Sequence, residues 1–275
     1  MMAVKKLILC ADDFGQNASI SEGILELAQL GRLSAVSCMV NGADWPDDIE
    51  ALKQSNVDIG LHLNFTHGQA LTFACQTMLG KQFPGLMPLV ASHLGLKKLD
   101  SSVIYQEIEA QILKFKQEVG FYPHFIDGHQ HVHQFSMIAP VLLDVVNQLG
   151  FKPWFRTTYT HDNFFWPKIL NWKSWSLFIL GGATFAKRLH QQGFQTNTDF
   201  SGDYRFSQKK DFSKKFPTFL KHLKSGGLVM CHAGHLSQDE TDSIAHIRPL
   251  EFAYLSSPQF LQDLEQQGFE LSRFD

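Results

Sequence analysis

At 275 residues and 44% hydrophobic side chains, the chain can bury a substantial core, as one large α/β domain or two small ones. Its 24 Lys and Arg against 27 Asp and Glu give a formal charge of −3 with no long block of one sign; this excludes the electrostatic footprint of a nucleic-acid or anionic-lipid binder and favours a small-molecule or glycan partner. The apolar run Leu7 to Ala11 is too short for a signal-peptide core. Trp175 to Ala186, broken by Ser176, Gly181 and Gly182, falls short of the roughly 20 residues that span a bilayer, so a cytoplasmic protein without membrane insertion is expected.

Apolar runs of strand length recur along the chain, each ending in polar residues and followed by a helical pattern. Lys6 to Cys10 leads to a helix over Ile20 to Leu30, and Ala35 to Val40 leads to one over Asp47 to Gln54. Val57 to Leu63 is the third strand, Ser101 to Val119 a long helix, His124 to Asp127 the fourth strand and Met137 to Leu149 another helix. Lys152 to Thr157, Gln195 to Phe200 and Leu228 to His232 follow as strands, and Glu270 to Arg273 closes the set. This rhythm predicts a parallel sheet, and seven or eight mainly parallel strands without a Pro/Gly/Ser linker favour an irregular (β/α) TIM-like barrel over residues 1–275 as one domain. Two inserts, about 65–100 and 159–192, are expected to form substrate walls. The second is rich in aromatics, with Phe164, Trp166, Trp172 and Trp175 enough to form an interface in a homo-oligomer as well as a lid.

Four cysteines, Cys10, Cys38, Cys75 and Cys231, form no Cys-x-x-Cys pair and read as buried reduced thiols. The thirteen histidines are the compositional oddity, because several crowd behind apolar runs. The first strand ends in Ala11-Asp12-Asp13-Phe14-Gly15, where a barrel presents its active site; a turn or a helix cap is the bland alternative. The third ends in Gly60-Leu61-His62-Leu63-Asn64, whose lone histidine could equally be a satisfied core residue. The fourth runs into Asp127-Gly128-His129-Gln130-His131-Val132-His133, and another strand ends at His232. Imidazole and carboxylate delivered from several strand ends to one face can build a site for a divalent ion. A hydrolase built on one such ion needs a base and an acid, which Asp12 and His232 can supply.

In order and spacing, Ala-Asp-Asp-Phe-Gly, Gly-Leu-His-Leu-Asn, Asp-Gly-His-Gln-His-Val-His and Met-Cys-His resemble the motifs of YdjC-like carbohydrate deacetylases, a family that includes chitooligosaccharide and hopanoid-associated deacetylases. The resemblance runs from Lys5 to about Leu271. It implies an irregular (β/α) barrel, a metal held by Asp13, His62 and His129, Asp12 as base and His232 as acid. Family members often carry proline after the last Cys-His; Ala233 here is expected to alter loop stiffness more than chemistry. Arg248 resembles the family's late arginine, a supporting catalytic residue that could grip Asp12 in a bidentate contact, with a surface ion pair to Glu251 as the alternative. His131 and His133 are candidates for shaping the site or binding substrate, His67 and His235 for loop positions, and Asp199 to Phe206 for a sugar-binding loop or an anchored turn.

The expected activity is removal of an N-acetyl group from an acetylated amino sugar or oligosaccharide by metal-activated water. A metal-dependent phosphoesterase or amidohydrolase on a histidine-lined barrel is the competing enzyme class, and a non-catalytic metal- or ligand-binding barrel the third reading. An unliganded carboxylate beside the ligand set argues against the third. For the ion, zinc or magnesium comes first, and manganese, cobalt or nickel also suits an Asp and two His.

Overall fold

The computed structural model describes residues 3–159, 181–204, 206 and 211–274. Strand β1 (Lys5–Phe14) is the spine of the sheet. It is followed by α1 (Ala18–Gln29), β2 (Ala35–Cys38), α2 (Ile49–Lys53) and β3 (Asp58–Leu63). The first insert carries α3 (Phe73–Leu79) and α4 (Leu86–His93) before the long α5 (Ser101–Val119). Then come β4 (Phe125–Gly128), a 3-10 segment (His129–Gln134), α6 (Ala139–Leu149) and β5 (Trp154–Phe155). The chain finishes with α7 (Gly182–Gln191), β6 (Phe200–Ser201), α8 (Phe212–Leu220), β7 (Gly227–Cys231), α9 (Arg248–Ser256), α10 (Pro258–Gln266) and β8 (Phe269–Leu271). The aromatic residues Phe164, Trp166, Trp172 and Trp175 of the second insert lie outside the described residues.

The strands are ordered β5-β4-β3-β2-β1-β7-β6, each pair parallel, with β8 added to the first residues of β1. Phe155 of β5 also bridges in parallel to Thr196, on the segment leading to β6, and its N–H donates to the Gln195 carbonyl at 2.9 Å. That bridge brings the segment before β6 against β5, in line with the irregular TIM-like barrel that the strand count predicts. Strand β5 is shorter than expected: Pro153 has no N–H, and the Thr157 N–H goes to Asn197 Oδ1 rather than to a neighbouring strand. Strand β1 is longer than expected, because Ala11 pairs with both Val36 and Cys231, and Phe14 with Cys38.

The period of two along each strand divides the core. Outward residues such as Leu7, Leu9, Val36, Leu61, Ile126 and Val229 join Ile24, Ile108, Phe115, Leu142 and Phe216 of the helices in one large cluster. Inward residues Ile8, Cys10, Ala35, Phe125, Trp154, Phe200, Leu228 and Met230 fill the lower barrel. There Phe125 stacks on Trp154 at 4.3 Å, and Trp154 on Phe274 at 4.8 Å. Gly60 makes this possible: a Cβ on it would lie 2.4 Å from Phe125 Cε1. Above this apolar plug the inward positions turn polar, with Asp12, Ser37, His62, Asp127 and Arg156 all buried. The barrel therefore changes from hydrocarbon to charge toward the carboxyl ends of its strands.

Candidate active site

A regular strand would send Asp12 and Asp13 to opposite faces. Instead the β1–β2 register shifts between Ala11 and Phe14, and Asp13 sits at φ 76°, a left-handed conformation rare outside glycine. This bulge brings both carboxylates to one cavity. The helix-capping alternative belongs to Asn17, whose Oδ1 accepts from the Ile20 N–H at 3.1 Å.

Asp13 is the hub. Its Oδ1 lies 2.9 Å from His129 Nδ1 and 3.4 Å from His62 Nε2, and its Oδ2 accepts from Arg248 Nη2 at 2.9 Å. Burial works against the carboxylate, but Arg248 and His129 overcome it and hold Asp13 well below the usual carboxylate range. His129 follows directly on Gly128, the last residue of β4, and the two left-handed residues after it, Gln130 at φ 53° and His131 at φ 60°, turn the rest of the histidine run away from its line.

His62 comes from β3, beside Asp127 in the ladder. Its Nδ1 meets Asp127 Oδ1 at 2.6 Å, and Ser37 Oγ donates to the same oxygen at 2.5 Å. Burial alone would depress the imidazole, but the Asp127 and Asp12 carboxylates raise it to about 10. Asp127 in turn, against its own burial, is lowered to about 2 by Arg156 and His62. Arg156 fills the centre: Nη1 and Nη2 donate to the two oxygens of Asp12 at 2.7 and 2.5 Å, and Nη2 also pairs with Asp127 Oδ2.

Asp13, His62 and His129 each offer a ligand atom, and the three lie within 4.8 Å of one another. One oxygen and two nitrogens, with the far nitrogen of His62 anchored on a carboxylate, fit a divalent ion. A second grouping, Cys10, Asp12 and Asp127, also brings donor atoms together. It is already served by the Arg156 guanidinium, which lies 3.4 Å from Cys10 Sγ as well as on both carboxylates.

The cavity over this cluster is about 480 Å³, large enough for a sugar. Besides Asp12, Asp13, His62 and His129, it is lined by Gln16, Thr66, His67, Leu86, His131, Asp203, Phe206, His232 and Arg248. His232 stands at the end of β7, and burial lowers its imidazole to about 4.

A family model described as YdjC-like protein matches residues 6–266. The chain belongs to the YdjC-like family. A chitooligosaccharide deacetylase of Yersinia enterocolitica is 27% identical over 279 residues, covering 98% of both chains. A human carbohydrate deacetylase is 30% identical over 152 residues, 54% of this chain and 47% of that protein, so the chain spans about half the length of this relative. Among solved structures, one from Enterococcus faecalis V583 named for cellobiose-phosphate cleavage covers 98% of both chains with a TM-score of 0.73 at 19% identity, a likeness of fold.

The YdjC-like motifs thus converge on one cavity. Within the histidine cluster the three side chains part company. His129 faces Asp13, whereas buried His133 has Nε2 on the Arg156 carbonyl at 2.9 Å, and the His131 ring meets Phe200 edge-on at 5.8 Å. His67 lies at the cavity wall, while His235 packs on Phe252 and pairs with Glu26. One expectation is corrected: Arg248 grips Asp13 and Asp242, not Asp12, and the bidentate partner of Asp12 is Arg156. Arg156 carries only a faint signal in the sequence, a lone cation in Trp154-Phe155-Arg156, two residues from the inward Trp154 and so on the same face.

Proposed function

We propose that this chain, working in the cytoplasm as a single domain, removes the N-acetyl group from an acetylated amino sugar or chitooligosaccharide. The observation that carries the reading is the grouping of Asp13, His62 and His129 beneath one cavity, with Asp12 and His232 on its wall. The names of the Yersinia and human relatives point to the same chemistry. The four cysteines, all buried and unpaired, suit a reducing compartment.

A divalent ion on Asp13, His62 and His129, zinc or magnesium in our reading, would supply Lewis-acid polarisation of the acyl oxygen and of the attacking water. The chain's own groups do the rest. Arg156 uses one lone pair on each oxygen of Asp12 and the Cys10 thiol contacts Oδ1 at 3.7 Å, which leaves Oδ2 a lone pair to accept the water's proton. Arg248 and Asp127 fix Asp13 and His62 from behind, so neither has to reorganise as charge develops. His232 rests as a neutral imidazole, so the proton it passes to the departing nitrogen reaches it during turnover.

The competing phosphoesterase or amidohydrolase reading would be favoured by a second ion, and the only other grouping of donors among the described residues is the one Arg156 fills. A screen of acetate release from N-acetylated mono- and oligosaccharides, run beside phosphate release from phosphoesters, decides between them. Acetate from at least one amino sugar is expected; phosphate without acetate would transfer the chain to the other class.

A further inference from the structure

His62 owes its orientation to a carboxylate on its ring, whereas the His232 ring has no such support: its Nδ1 is buried and meets no hydrogen-bond partner among the described residues. What holds His232 is its main chain. The His232 N–H donates to Glu251 Oε2 at 2.6 Å, and its carbonyl accepts from Arg248 Nη1 at 3.4 Å. Arg248 and Glu251 lie three residues apart on α9, so one helical turn grips the two ends of this residue. Downstream, the Gly234 N–H donates to the Arg248 carbonyl at 3.3 Å, and Gly23 of α1 packs so closely that a Cβ there would lie 2.8 Å from Gly234 Cα.

Glu251 is fully buried, and its second oxygen accepts from the Tyr204 hydroxyl at 2.5 Å. Tyr204 lies between Asp203 and Phe206, which both line the cavity, and its ring packs 4.9 Å from that of Phe206. The Phe206 ring in turn stands edge-on to His232 at 5.3 Å. One carboxylate therefore ties the wall of the cavity to the residue proposed as the acid. Burial pushes Glu251 up to about 7 even though Tyr204 and the His232 N–H favour its charged form. A buried carboxylate of this kind is costly, and an apolar side chain of similar volume would be the cheaper core residue.

We infer that Glu251 is a positioning residue for His232, and that the Tyr204 hydroxyl couples the cavity wall at Asp203 and Phe206 to it through Glu251. The inference rests on the reading of His232 as the proton donor in deacetylation. A ligand that presses on Asp203 or Phe206 then adjusts His232, so the ring is set in place as the cavity fills.

The test uses the full chain in three variants: Glu251→Leu, which removes both bonds; Glu251→Gln, which keeps an acceptor oxygen; and Tyr204→Phe. Each is measured for bound metal, for kcat and KM of acetate release from an N-acetylchitooligosaccharide, and for amide hydrogen exchange at His232. Glu251→Leu should lower kcat by about tenfold to a hundredfold, the usual effect of a catalytic group displaced by ~1 Å, with KM and metal content unchanged. His232 exchange should quicken in the same variant. Glu251→Gln should recover most of the rate, and Tyr204→Phe should lie between the two. If Glu251→Leu does not fold, Tyr204→Phe decides, with faster exchange and reduced kcat expected. Unchanged kcat and unchanged exchange in the folded variants would overturn the inference. A wild-type protein that releases no acetate would defeat the functional reading instead, and the exchange rates would still report on the clamp.

Discussion

In the metal-free protein His62 carries a proton on each ring nitrogen at neutral pH, because Asp127 and Asp12 raise its imidazole to about 10 despite burial. An ion that takes Nε2 must displace that proton. From about 10 to pH 7 is about three pH units, so competition with the proton weakens apparent affinity by roughly a thousandfold, about 4 kcal/mol at 1.36 per unit. Affinity should rise about tenfold per pH unit between pH 6 and 9, with about one proton released per ion bound. The stability of the metal-free protein should move the other way. The contribution of His62, whose pKa is raised on folding, is complete below 6.5 and is lost as pH climbs through about 10. That of Asp127, whose pKa is lowered, is present above 3.8 and is lost as pH falls through about 2. Titration calorimetry of chelator-treated protein, in two buffers of different ionisation enthalpy, counts the protons directly. Affinity independent of pH, with no proton released, would refute the charge pattern assigned to Asp127, His62 and Asp13.

Replacing Asp13, His62 or His129 by Ala should lower bound metal and activity together, measured by elemental analysis and acetate release; metal retained in His129→Ala but lost in His131→Ala would move the ligand within the cluster. Asp12→Asn should keep its metal yet lose about two to four orders of magnitude in kcat, and near-normal turnover would send the search for the base to Asp127 or solvent. Gly60→Ala should destabilise the fold by about 1–3 kcal/mol, since the new methyl meets a Phe125 ring held against Trp154, and an unchanged Tm in thermal unfolding would contradict that packing.

The residues legible in the sequence were those at strand ends. Asp12, Asp13, His62, His129 and His232 each follow an apolar run, and parallel strands deliver such positions to one rim whatever the loops do. What stood hidden depends on geometry that periodicity does not encode. The bulge at Asp13 decides which carboxylate faces which arginine, so Arg248 reads as a partner of Asp12 until the backbone turns Asp13 toward it. Arg156 was concealed because it follows a β5 of only two residues, both aromatic, leaving no alternation long enough to mark its inward face. The choice of His129 over His131 and His133 follows from two left-handed residues, a feature without a glycine to announce it.

In the proposed function one ion on Asp13, His62 and His129 makes this cavity a deacetylase. Acetate release from an N-acetylchitooligosaccharide should be followed before chelation, after chelation, and after a divalent ion is restored, with metal content determined on the same samples. Activity should vanish with the ion and return with about one ion per chain, and it should not return in Asp13→Ala. Acetate release that continues at full rate after the ion is stripped would contradict the account.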